Sequence, residues 1–510
     1  MSNRKSNALK GFISILSGSF VLQLVSLLVI PLYLNLTSQE LFGLWLTLGA
    51  ILGWIKIGDM GVGLALQRRS IETLEKDDYK LLSRLIYGAA LITLTFGFFI
   101  SGLGFLMSNL LVKVFNISNE LQTSFINTYH ILLIVAFIRP AFGLLTAVIG
   151  AKQHLAFMHI KNTSITILSI LVTITLLYLD FGLISFAYGL LFEAIFTLLI
   201  DFTYLKYKDS QIVFFPVKTS KSDIRSLLGF GAPFQILKIT NLVATSTDNI
   251  IIAAFLGASS VTVYVFTGKL ALLIATFIIG TFPSVLFSGI SQLFEIGDIK
   301  KIKKLYLNLS DLMIRLGILS GISYFYINEI FIGLWVGAEN FGGNDLTALF
   351  VIWCLFHGFC SGISNIIYAS GDLKGLTVIS LVEASLNLTL TLILIKSFGL
   401  LGVIFATIIS KLLVTIYIPL KINKILYVSS LKFFKNMFLK VLFYLIPLII
   451  VGEFISSITL NYSNSVGKIT IVLFSMLLTS IFMSEGLLLL RNRKKTFREN
   501  MDILKEFHGL

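Results

Sequence analysis

An all-α, polytopic membrane fold is what this chain predicts, and three observations carry that reading. Hydrophobic residues make up 56% of the 510 residues and charged residues only 13%, at a mean hydropathy of +0.92. A soluble chain of this length needs a more polar surface, so most of this surface must face lipid. Apolar runs long enough to cross a bilayer, ~20 residues each, recur about fourteen times. The net charge of +14 is spread over the links between those runs. That is the distribution of cytoplasmic loops rather than of a nucleic-acid surface.

The expected spans lie, in order, near residues 11–34, 41–64, 84–108, 125–149, 160–179, 183–204, 229–256, 261–290, 306–327, 346–369, 375–395, 399–420, 437–457 and 468–490. The first follows Arg4, Lys5 and Lys10. It is too long for the apolar part of a signal peptide and lacks a small-residue cleavage site, so it reads as a membrane helix. The second ends in the glycine-rich GDMGVG, and the eighth contains Pro283.

Basic residues mark alternate links. Arg68, Arg69, Lys76, Lys80 and Arg84 follow the second span, and Lys152 and Lys161 the fourth. Lys206, Lys208, Lys218, Lys221 and Arg225 follow the sixth, and Lys300, Lys301, Lys303 and Lys304 the eighth. Lys374 follows the tenth, Lys421, Lys424, Lys432 and Lys435 the twelfth, and Arg491, Arg493, Lys494, Lys495 and Arg498 begin the tail. The opposite links hold only isolated lysines, Lys113, Lys396 and Lys468. By the positive-inside rule this pattern predicts an even number of spans with both termini in the cytoplasm. The links on the other side are short, the longest being 328–346, so any activity must come from the helical bundle.

An internal repeat organises the spans. LNLTSQELFGLWLTLG (34–49) parallels AFLGASSVTVYVFTGK (254–269), and DFGLISFAYG (180–189) parallels SFGLLGVIFA (397–406), in the same order at nearly the same interval. Repeated halves are a common transporter architecture. The expected organisation is an N-terminal six-helix half (1–204), a cytoplasmic linker (205–228) and a C-terminal six-helix half (229–420). Two additional helices (421–490) and a basic tail (491–510) complete it.

With these features the chain resembles the polysaccharide transporters of the multidrug/oligosaccharidyl-lipid/polysaccharide exporter superfamily. The stretch QELFGLWLTLGAILGWIKIGDMGVGLALQRR (39–69) is similar to the second helix and following loop of O-antigen and capsule repeat-unit flippases. Asp59, Gly61, Gly63, Arg68 and Arg69 stand at its D-x-G-x-G turn and basic loop. TDNIIIAAFLGASSVTVY (247–264) resembles the seventh helix of that family. The resemblance implies two halves around a central cavity, working by alternating access. It implies a cargo of polyprenyl-pyrophosphate-linked oligosaccharide, moved across a bacterial cytoplasmic (inner) membrane for O-antigen, lipopolysaccharide or capsule synthesis. Other polysaccharide assembly proteins are candidate partners; nucleic acid is not.

Charged and polar residues inside the spans are the candidate site. A guanidinium at mid-membrane costs at least ~2.5 kcal/mol unless something receives it, and Arg139 lies beside Pro140 inside VAFIRPAFG (135–143). On the seventh span Lys238, Asn241, Thr245 and Asp248 fall on one helix face. Thr262, Lys269 and Thr276 repeat the idea on the eighth, Thr128, Arg139 and Thr146 on the fourth, and Ser19, Gln23 and Ser26 on the first.

A pyrophosphate crossing hydrocarbon needs fixed cations, so Arg139, Lys238 and Lys269 are the candidate cargo-binding groups. Gln23, Asn241, Thr245 and Asp248 would form the polar cavity face. The competing reading pairs Arg139 with Glu193 or Glu383 as a lock between helices. Asp248, Glu193 and Glu383 are also the candidates for ion coupling. Lys56 and Asp59 read as a local ion pair.

Other chemistries find little support. Cys354 and Cys360 share one apolar span, the five histidines are scattered, and neither set has a metal-ligand spacing. No G-x-x-x-x-G-K-[ST] motif occurs, so neither a nucleotide nor another cofactor is expected. A sugar polymerase needs a large external loop, which disfavours an enzyme. A lipid-linked peptidoglycan-precursor flippase and a multidrug or organic-cation antiporter of the same superfamily remain as alternatives.

Overall fold

The computed structural model describes the backbone of residues 2–55, 61–208, 211–213, 217–275, 287–371, 374–459 and 465–490. Its elements are α1 (Ser2–Leu36), α2 (Gln39–Ile55), α3 (Val62–Leu74), α4 (Tyr79–Val114), α5 (Asn119–Ala151), α6 (Leu155–Tyr178), α7 (Ile184–Lys208), α8 (Lys221–Leu256) and α9 (Ala258–Thr267). They continue as α10 (Lys269–Leu273), α11 (Phe287–Ile296), α12 (Ile299–Trp335), a 3-10 turn at Ala338–Asn340, α13 (Asn344–Ser370), α14 (Lys374–Phe398), α15 (Leu400–Ile425), α16 (Ser430–Thr459) and α17 (Ser465–Leu490). No strand occurs among the described residues.

Ten described helices are long and apolar enough to cross a bilayer. Three shorter apolar stretches, Ser246–Leu256, Ala258–Thr267 and Ser465–Ile481, add to them. These thirteen stretches fall at thirteen of the fourteen expected spans, and α2 (Gln39–Ile55) occupies most of the described part of the second. The outward residues of α4, among them Phe98, Phe99, Leu103 and Leu106, are exposed and large, a surface suited to lipid.

Several helices outrun the hydrocarbon. At 1.5 Å per residue, a helix such as α12, with 37 residues, is ~55 Å long against a core of ~30 Å. Its first turns carry the lysines that the sequence places in a loop. The ends are set by caps. The Asp78 carboxylate accepts from the Leu81 amide at 2.9 Å to start α4, and Asp298 accepts from the Lys301 amide at 3.0 Å to start α12. These two caps are separated by the same interval as the repeat pair starting at 34 and 254. Ser220 and Asp223 form a capping box that starts α8 within the expected linker.

Two departures from the sequence reading stand out. The eighth expected span is not one helix: α9 ends at Thr267 and the five-residue α10 restarts after Gly268. Thr276 and Pro283 lie outside the described residues, as do Lys56 and Asp59. Arg68 and Arg69, expected in a loop, lie on α3. That helix buries Val62, Ala65 and Leu66 in a cluster with Leu85, Val148 and Leu227 from α4, α5 and α8.

The chain divides into two compact units, Met1–Thr262 and Val263–Leu510. In the first, α5 packs on α4, α7 and α3, and α8 packs on α2, α3 and α4. In the second, the core runs through Tyr306, Ile318, Ile363, Ile418, Phe433 and Met476, which brings α16 and α17 onto α12.

Candidate functional site

Two polar contacts stitch α5 to α7 in the first unit. The upper is an ion pair, with Arg139 Nη2 2.7 Å from Glu193 Oε1. The lower joins three residues. The Thr146 hydroxyl donates to Asp201, and Lys161 Nζ, from α6, lies 2.6 Å from Asp201 Oδ1. Thr146 follows Arg139 by about two turns and Asp201 follows Glu193 by about two turns, so parallel α5 and α7 align the contacts ~11 Å apart.

Burial separates the two. The Lys161 and Asp201 side chains are 3% and 0% exposed, whereas those of Arg139 and Glu193 are 35% and 16% exposed. The lower contact is a desolvated lock, in which each charge requires the other. The upper pair keeps access to its surroundings. Arg139 lies ~21 Å along α5 from Phe125 and ~15 Å from Ile149, near the middle of the apolar stretch.

The exposed side of Arg139 does not point the way the lipid-facing residues do. On α5, Ile134 is exposed and Ile138 and Ala141 are half-exposed. Arg139, Gly143 and Thr146 centre about 140° around the helix from them. A methyl group placed on Gly143, one turn from Arg139, would meet no atom within 4 Å. Pro140 has no amide hydrogen, so α5 lacks one backbone hydrogen bond beside the guanidinium.

The second unit carries a matching construction on other helices. Glu383 Oε1 of α14 lies 2.9 Å from Lys411 Nζ of α15, and one turn away Asn387 Nδ2 donates to Thr407 Oγ1 at 3.0 Å. Near Lys411, the Thr415 hydroxyl is 3.3 Å from Cys360 Sγ, and His357 stacks on Trp353 at 5.0 Å between ring centroids. Lys269, at the start of α10, is half-buried and has no ion-pair partner among the described residues.

The sequence candidates thus fall into groups. Arg139 and Glu193 meet; Glu383 meets Lys411 instead. Asp248 is buried on α8. Gln23 is half-buried on α1, where its carbonyl accepts from Ser26 Oγ at 2.8 Å. Thr262 is buried and donates to the Gln39 carbonyl at 2.9 Å. The side chains of Lys238, Asn241 and Thr245 lie outside the described residues.

Lys161 is not the loop charge that the sequence suggests, and Asp201 carried no assignment there. Their signal is periodic. The buried residues of α6 are Lys161, Ile165, Ser169, Thr173 and Leu177, every fourth residue. Asp201 is the next acid after Glu193 on the same apolar helix. Among the described residues no His/Cys/Asp/Glu group has the makings of a metal site.

Long apolar helices, with charge pairs held at membrane depth, define a polytopic helical membrane protein. Comparison with known proteins gives the fold and the family. The chain belongs to the polysaccharide biosynthesis protein family, whose family model matches residues 35–339, more than half of the chain.

Its fold is similar to that of solved transporters, two of them described as members of the MOP superfamily. It is similar to a structure described as lipid II flippase MurJ in an inward closed conformation, over 95% of this chain and 99% of the other, with a TM-score of 0.70 and 17% identity. It is also similar to an inward-facing multidrug resistance MATE family transporter of the MOP superfamily, over 79% and 98% of the two chains, with a TM-score of 0.61 and 15% identity. A MOP superfamily transporter from Pyrococcus furiosus, described as having a binding pocket of reverse polarity, matches over 83% and 97%, with a TM-score of 0.56 and 14% identity. At these identities the likeness is one of fold. No curated protein matches the chain.

Proposed function

We propose that this protein is a flippase that moves polyprenyl-pyrophosphate-linked oligosaccharide repeat units across the bacterial cytoplasmic membrane, for O-antigen, capsule or exopolysaccharide synthesis. Its two six-helix halves, 1–204 and 229–420, alternate access to the two leaflets, and both termini lie in the cytoplasm. The family supports the polysaccharide pathway, and the fold supports transport rather than catalysis. The observation that carries the reading is Arg139, a partly exposed mid-span guanidinium turned away from the lipid face of its helix. Beyond its contact with Glu193, the exposed part of such a group faces water or an anionic headgroup. Lys238 and Lys269 complete the proposed cation set, and Gln23, Asn241, Thr245 and Asp248 its polar face. Glu193, Glu383 and Asp248 are the carboxylates proposed to couple transport to an ion.

Complementation tests this. Wild type, Arg139→Ala, Lys238→Ala and Lys269→Ala are expressed at equal membrane levels in a bacterium lacking its O-antigen flippase, and surface polysaccharide is stained. Wild type is expected to restore the polysaccharide and each variant to lose most of it. Restoration by all four keeps the function and removes the cations from the site.

A second reading, flipping of a lipid-linked peptidoglycan precursor, is favoured by the near-complete overlap with a structure named a lipid II flippase. Rescue of a strain depleted of that activity, with no rescue of the O-antigen strain, would replace the first reading by the second.

A further inference from the structure

We propose, on the basis of the flippase reading above, that Glu193 is a resident counter-anion which the cargo's phosphate displaces from Arg139. Cargo contact and helix pairing are then successive states of one guanidinium.

Four features of the pair support an exchange. The contact joins one guanidinium nitrogen, Nη2, to one carboxylate oxygen, Oε1, at 2.7 Å. A guanidinium has five N–H donors in a planar fork, so most of its bonding capacity remains for another acceptor. The pair is partly exposed, unlike the closed Lys161–Asp201 contact two turns below it. Gly143 leaves open space one turn along the same face, where a headgroup oxygen could approach without moving a side chain. Pro140 leaves α5 one backbone hydrogen bond short beside Arg139, a point at which the helix can bend.

Charge explains why the exchange suits a carrier. With Glu193 in place the empty site is neutral, and a neutral pair sits at mid-membrane at far lower cost than a bare guanidinium. A pyrophosphate offers more oxygens and more charge than one carboxylate and takes the fork in two-point fashion. Once cargo leaves, Glu193 returns and competes against rebinding. The lower contact holds α5 to α7 while the upper one changes partner, so the exchange needs no separation of the helices.

The experiment measures equilibrium binding of farnesyl pyrophosphate to the purified full chain in nanodiscs. Wild type is expected to bind. Glu193→Gln removes the competitor and keeps the shape, and should bind about three- to fivefold more tightly, the factor that corresponds to a partly exposed ion pair. Glu193→Asp, which keeps the charge but shortens its reach, should tighten binding less. Arg139→Gln should weaken binding at least about tenfold. Glu72→Gln, in the surface Arg69–Glu72 pair of α3, controls for net charge and should leave the affinity unchanged.

Binding by wild type with equal or weaker binding by both Glu193 variants overturns the exchange and leaves the flippase reading standing. Absence of binding by wild type overturns both. Thermal melting of each variant separates a changed site from a misfolded protein.

Discussion

Two acid–base contacts on α7, Glu193 with Arg139 of α5 and Asp201 with Lys161 of α6, differ in burial, and burial decides what removing a partner costs. Asp201 and Lys161 are shut away from water, so removing one partner leaves an uncompensated charge at a cost of about 3–5 kcal/mol. Asp201→Asn should therefore lower the melting temperature of the purified protein sharply. Lys161→Met with Asp201→Leu, which removes both charges, should recover most of that loss. Glu193→Gln should change stability by at most about 1 kcal/mol, because its pair is partly solvated. A large loss with Glu193→Gln would make the upper contact a structural lock as well. Arg139 and Glu193 were legible as charges in apolar spans, with Glu383 as the competing partner. Lys161 was not, because a lysine six residues into a helix looks in sequence like the end of a basic loop. Only its place in a buried every-fourth-residue stripe reveals its direction.

At the scale of elements, the repeat is visible in how chain reversals are built. Phe181-Gly182-Leu183 joins α6 to α7, and Phe398-Gly399-Leu400 joins α14 to α15. Gly182 and Gly399 both adopt positive φ, 62° and 57°. A side chain there is strained, so Gly182→Val and Gly399→Val should each cost about 1–3 kcal/mol, read as lower melting temperature and lower folded yield. Beyond the first turn, Gly189 admits the Thr173 side chain of α6 where a methyl group would collide with it. Ser169 Oγ bridges the same gap by donating to the Gly189 carbonyl at 2.6 Å. Equal tolerance of valine at 182 and 399 would mean that the turns resemble each other in sequence without sharing a constraint. Helix positions were readable from apolar run length. Helix ends were not, because Asp78, Ser220 and Asp298 carry α4, α8 and α12 well past their apolar runs. The break at Gly268 was hidden too, since an apolar run reads the same whether or not its helix is continuous.

For the whole molecule, the distribution of charge sets the expected topology. The repeat predicts equivalent halves, and ion pairs join the helices on either side of the matching glycine turns, Lys161–Asp201 between α6 and α7 and Glu383–Lys411 between α14 and α15, with base and acid exchanged. Which leaflet each end serves depends on topology, which rests on the alternation of lysine and arginine. Cysteine labelling reads it directly. Cys354 and Cys360 are both buried, so a reporter can be introduced into the natural background. Asn119 and Lys76 are exposed, at opposite ends of α4 and the loops that flank it. On intact cells, a membrane-impermeant maleimide should label Asn119→Cys and spare Lys76→Cys until the membrane is opened. The reverse pattern would put the basic links outside. Arg139 would then approach its cargo from the wrong leaflet for export, and the proposed direction of flipping would fail even if the cations and the exchange at Glu193 survived.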